Sequence, residues 1–170
     1  MTRTVVSSEE DAEFVKAVLG EDDLAVVVRS HIHVENRLLK FIELTCPAPK
    51  HLKKMELDFS QQVQLALALG MPDSCGFPLH AIGNMRNAFA HSLAAKLSKD
   101  RVDGFYKTFS AEDKIIVQAT YERLQQAATE EKRPPFRKLE PKDQFVFLAT
   151  SLRSMVQANV NLANGAASKA

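Results

Sequence analysis

The chain has 170 residues, 45% of them hydrophobic, which supplies one sizeable core and leaves too little length for two. A net charge of +1 argues against the strongly basic composition of proteins that track phosphate backbones, and no run of about eighteen apolar residues is present to cross a membrane. Met1 to Ser8 carry no basic segment leading into an apolar stretch, so a cytoplasmic location and no membrane partner are expected.

Cys46 and Cys75 lack the spacing of a disulfide framework or a zinc site, so both are expected to be reduced thiols, with no metal and no cofactor. The charge is unevenly spread. Residues 1–35 hold eight acids against three bases (Arg3, Lys16 and Arg29), a net of −5, which leaves +6 for residues 36–170. Lys50, Lys53 and Lys54 form one basic cluster, and Lys132, Arg133, Arg137 and Lys138 a second. Each offers a weak nucleic-acid contact, although solvated loops commonly have the same composition.

In chain order, Ser8 and Asp11 mimic a capping box, and Phe14, Val15, Val18 and Leu19 recur at helical spacing before Gly20. Asp22 or Asp23 then caps a long amphipathic helix to about Leu44, with apolar positions at Leu24, Val27, Val28, Ile32, Leu38, Leu39, Phe41 and Ile42. Its polar side presents Arg29, His33, Asn36, Arg37 and Lys40. Pro47, Pro49 and the lysines make residues 45–58 a loop. Ser60 is expected to cap a third helix, nearly all core, through Val63, Leu65, Ala66, Leu67 and Leu69, stopped by Gly70 and Pro72.

Pro78 suits the start of a fourth helix, whose apolar stripe is Leu79, Ile82, Met85, Phe89 and Leu93, ending between His91 and Lys96. Ser110 caps a fifth, with Ile115, Ile116, Ala119, Leu124 and Ala127 on its apolar face, and residues 130–135 read as a surface linker. Pro141 opens the last helix, carrying Phe145, Phe147, Leu148, Leu152, Met155, Val156 and Val160, with Gly165 to Ala170 as a frayed end. No alternating strand pattern and no internal repeat stand out. The expectation is an all-α, single-domain bundle of about six helices over residues 1–165, followed by a tail at 166–170.

Chemistry concentrates on the fourth helix, where Arg86, Asn87 and His91 interrupt a core-like pattern. Asn87 and His91 are four apart and share a face, whereas Arg86 and His91 lie roughly 140° apart on a straight helix. Convergence on one atom therefore needs an unwound helix end or a second copy of the motif supplied by a dimer. His31, His33 and Glu35 invite a metal reading, but alternate residues diverge by roughly 200° on a helix, which separates the two imidazoles. His80 reads as a surface or cap residue, and the phenylalanines as core.

The segment Met85-Arg86-Asn87-Ala88-Phe89-Ala90-His91 resembles the Arg-Asn-x-x-x-His signature of the HEPN superfamily, compact helical domains that include metal-independent ribonucleases, toxins and non-catalytic regulators. The wider pattern is Phe59-Ser60, Leu67-Ala68-Leu69-Gly70, Leu79-His80-x-Ile82 and this signature. With the helix around His33-Val34-Glu35-Asn36-Arg37-Leu38-Leu39, it more closely resembles the mannitol operon repressor family over residues 20–95. The turn Met71-Pro72-Asp73-Ser74-Cys75-Gly76 departs from the more regular, acidic turn expected there.

The resemblance implies a HEPN-like or mannitol-repressor-like bundle, a homodimer, and regulation of transcription through a protein partner or weak nucleic-acid contact. Its alternative implication is a metal-independent ribonuclease. In that case His91 would move a proton during attack of a 2′-hydroxyl, Arg86 would hold the phosphate, Asn87 would orient His91, and Glu35 would support Arg86 or His91. The same residues equally make a buried polar network without turnover.

Overall fold

The computed structural model describes residues 22–92, 94–127 and 134–167, the side chains of 53, 123–127 and 167 excepted. The helix expected after Ser8 lies outside them. Among the described residues there are six α-helices and no strand. They are α1 (Asp23–Thr45), α2 (Phe59–Ala68), α3 (Gly76–Ala90), α4 (Lys99–Lys107), α5 (Ala111–Ala127) and α6 (Pro141–Ala167). Short 3-10 turns at Pro49–Lys54, Asp73–Cys75 and Phe136–Lys138 link them. The expected all-α, single-domain bundle is present, with one hydrophobic core, and no described helix is long and apolar enough to cross a membrane.

Helix α1 lies at the centre. Its most extensive partner is α6, and α3 and α2 close a second side. Asp22 caps it, accepting from the Ala25 amide at 2.8 Å, while Asp23 reaches out of the helix to accept from the Leu97 amide at 2.9 Å. Burial from two sides shifts the inward stripe from the one expected. Val26, Val27, Ser30, His31, Val34, Leu38, Phe41 and Ile42 are inside, whereas Ile32 and Leu39 remain 47% and 44% exposed. Hydrophobicity alone does not say which of two adjacent apolar stripes meets a neighbour.

Helix α6 runs for 27 residues, about 40 Å, through the body of the protein. Burying it requires its polar side chains to find partners. Thr150, Ser151 and Asn159 do so within their own helix, donating to the carbonyls of Val146, Phe147 and Met155 at 2.7, 2.9 and 2.9 Å. Gly165 stays helical, as does the chain to Ala167, where a frayed end was expected; residues 168–170 lie outside the described residues.

Three local expectations change. Asp58, not Ser60, caps α2: its carboxylate accepts from the Gln61 amide and Gln61 Oε1 accepts from the Asp58 amide, both at 2.9 Å, forming a capping box. Only Gln62, Val63 and Ala66 of α2 are buried, so this helix enters the core along one stripe and is not nearly all core. On α5, Ile115 is 67% exposed, and the inward positions are Asp113, Val117, Thr120 and Tyr121. The last of these joins an aromatic cluster with Phe136 and Phe147, at centroid distances of 5.5 and 5.4 Å.

Helix α4 has no counterpart in the expected elements. Ser98 caps it, and Val102, Phe105 and Tyr106 face inward, with Phe105 5.7 Å from Phe145. The stop of α2 is as expected from Gly70. That residue has φ +97°, and the amides of Gly70 and Met71 donate to Leu67 and Ala66 carbonyls at 3.0 Å each, the paired bonds of a Schellman ending.

The junction that shapes the site is between α2 and α3. A methyl group on Gly83 would come within 2.7 Å of the Phe59 ring, so glycine lets the start of α2 press directly onto α3. Phe59 in turn holds His31 of α1, ring centroids 4.3 Å apart. Gly83→Ala is expected to lower unfolding free energy by about 1–2 kcal/mol in urea denaturation, because overpacking outweighs the gain in helix propensity. An unchanged or raised midpoint would show that Phe59 swings away freely.

Candidate functional site

Three helices meet around a cavity of about 400 Å³. Helix α1 contributes His31 and Glu35, the start of α2 contributes Asp58, Phe59 and Ser60 together with the preceding Leu57, and α3 contributes His80, Gly83, Asn84, Arg86 and Asn87. On α3, positions 80, 83, 84 and 87 follow the i, i+3, i+4, i+7 spacing, so one helical face lines the cavity. Gly83 sits in the middle of that face, where the absence of a side chain admits Phe59.

Arg86 is exposed at the cavity and its Nη1 donates to Asn87 Oδ1 at 2.9 Å. Glu35 is partly buried, 3.7 Å from His31 Nδ1 one turn earlier on α1. Thus Arg86, Asn87 and Glu35 of the sequence-derived set are brought to one cavity. His91 is not among its lining residues. It is the C-cap of α3, exposed, its amide bonded to the Asn87 carbonyl at 3.1 Å, with φ −98° and ψ −1°. The helix therefore ends at His91, and the angular divergence expected between Arg86 and His91 separates them into different surroundings within the chain.

Two histidines that the sequence reading set aside belong to the cavity. His80, expected as a surface or cap residue, is half-buried and bonded across to α2, with Gln64 Nε2 and His80 Nε2 3.0 Å apart. His31, considered in the sequence only as a metal ligand, is 2% exposed. Burial, with the positive charge of Arg86 adding to it, pushes its pKa down to about 4. The signals that would have found them are the i, i+4 pair His31 and Glu35 and the polar spacing of α3.

His33 points away from His31 and is exposed; burial of part of the ring, then Arg153, Arg37 and Arg29, lower its pKa. Among the described residues no group of three His, Cys, Asp or Glu side chains is arranged to hold a metal ion. Lys50 and Lys54 are exposed on the 3-10 turn after α1, away from the polar cavity's lining, and the side chain of Lys53 lies outside those described. Of the second basic cluster, Arg137 stacks over the Tyr106 ring at 4.6 Å, a packing role, and Lys132 and Arg133 lie outside the described residues.

Comparison with family models, with curated proteins and with solved structures returns no match.

The lowered pKa of His31 has a signed consequence. Above pH 6.5 the imidazole is neutral folded and unfolded and contributes nothing to pH dependence. Between 6.5 and about 4 only the unfolded chain takes up the proton, so stability falls as the solution is acidified, by on the order of 3 kcal/mol in total. Histidine-selective NMR is expected to show the His31 ring still neutral at pH 5, and the wild type to lose more stability than His31→Gln between pH 7 and 4.5. A His31 midpoint near 6.5 would contradict this.

Proposed function

We propose that this chain is a non-catalytic helical regulator of the kind its sequence resembles, the mannitol operon repressor family, working as a homodimer through a protein partner or weak nucleic-acid contact. The observation that carries this reading is the separation of Arg86 from His91. A phosphodiester-cleaving site needs its cation and its proton-transfer group around one phosphate. Within the chain, Arg86 is tied to Asn87 at the cavity while His91 ends the helix outside it. The charge of +1 fits the same reading, since strong operator binding draws on many cationic contacts.

A second reading, a HEPN-type metal-independent ribonuclease, is favoured by the exposure of both Arg86 and His91, which leaves them accessible to a second copy. The two readings part in one set of measurements. Under the regulatory reading, sedimentation gives about twice the 18.9 kDa chain mass, and single-stranded RNA incubated with the protein and a chelator stays intact. Metal-independent cleavage that is lost in both Arg86→Ala and His91→Ala, with their thermal melts unchanged, would replace the regulator by the ribonuclease. Tight, salt-sensitive, sequence-specific operator binding would instead make it a direct DNA binder.

A further inference from the structure

The cavity between α1, α2 and α3 carries two opposite charges that the protein keeps apart. Arg86 is hydrogen-bonded to Asn87, its neighbour on α3, and Glu35 lies 3.7 Å from the neutral His31 ring, one turn away on α1. Both line the same space of about 400 Å³, and no ion pair joins them. Asp58, the other carboxylate there, keeps its charge, with Oδ1 engaged by the Gln61 amide in the capping box of α2. Between the poles lie further polar groups: Ser60, Asn84 and His80, the last bonded to Gln64 at 3.0 Å.

A cavity lined by a guanidinium and a carboxylate that do not pair with each other is complementary to a molecule carrying both charges. A simple anion such as phosphate would gain Arg86 but meet the carboxylate of Glu35. A simple cation would gain Glu35 but meet Arg86. With His31 neutral near pH 7, no further positive charge tips the balance toward an anion.

We propose that this cavity is a binding site for a small zwitterion of the amino-acid type, its carboxylate on Arg86, its ammonium on Glu35, and its remaining polar atoms met by Asn84, Ser60 and His80. The volume suits a molecule of that size with room for a side chain. The proposal deepens the regulatory reading by giving it an effector class, and it is tested apart from it, because ligand binding is measured without partner, RNA or DNA.

The test is calorimetric titration and thermal shift of the full chain with the common α-amino acids, β-alanine and γ-aminobutyrate. N-acetyl amino acids, amino-acid amides and inorganic phosphate serve as singly charged or purely anionic probes. The expected result is that at least one zwitterion binds and raises the melting temperature at about 10 mM, and that its N-acetyl and amide analogues bind at least about tenfold more weakly. Glu35→Gln and Arg86→Gln, each with an unaltered far-UV spectrum and melt without ligand, are each expected to weaken the zwitterion by at least about tenfold. The inference is overturned if no zwitterion binds, if phosphate or the N-acetyl analogue binds as well as the parent, or if either variant keeps wild-type affinity. Should either variant prove unfolded, Asn84→Ala takes its place, with weakened binding expected and full retention counting against the site.

Discussion

Burial of α1 on two sides is the constraint from which the rest of the site follows. Because α6 takes one side and α3 with α2 the other, the stripe of α1 that enters the protein includes Ser30 and His31 as well as its aliphatic residues. A histidine so placed must shed its proton or find a counter-charge. This one does the former: it packs against Phe59 and faces Glu35 at a distance longer than a hydrogen bond. The polar cavity adjoins that burial and is lined by residues of α1, α2 and α3.

One wall of the opening is set by close approach of two helices. Gly83 allows Phe59 to settle on α3, which brings the N-terminus of α2, fixed by its capping box, to the cavity wall. Arg86 is hydrogen-bonded within its own helix and Glu35 stands one turn from the His31 ring, so each charge is brought to the cavity by its own element. The same feature weakens any single-chain catalytic reading, because the tether on Arg86 and the position of His91 at the helix end turn the two groups to different surroundings.

Much of the architecture was legible from local chemistry. The long helix after Asp22, the stop at Gly70, the cap at Ser110 and the start at Pro141 all depend on residues acting within a turn or two of one another, and all are found. Helix α4 was not legible because only Val102, Phe105 and Tyr106 mark it within a charged, glycine-containing stretch; its order comes from packing on α6 and α3. The cap of α2 was misplaced by two residues because Asp58 and Ser60 are both good capping residues, and only the reciprocal bond with Gln61 separates them. In the site, Arg86, Asn87 and Glu35 could be singled out as polar residues in helices otherwise rich in core positions. His31 and His80 carried only spacing signals, the i, i+4 pair with Glu35 and the polar face of α3, whose meaning depends on which helix face is covered.

The sequence by itself determined the helical class, most helix boundaries and the polar interruption on α3, because capping, periodicity and turn preference are short-range effects carried by neighbouring residues. Tertiary structure alone decided which stripe of α1 is buried, that His31 and His80 share a cavity with Arg86, and that His91 does not line it. Those outcomes depend on how helices far apart in the chain cross and how closely they approach. The Phe59 contact over Gly83 fixes that approach, and no local pattern along the chain encodes it.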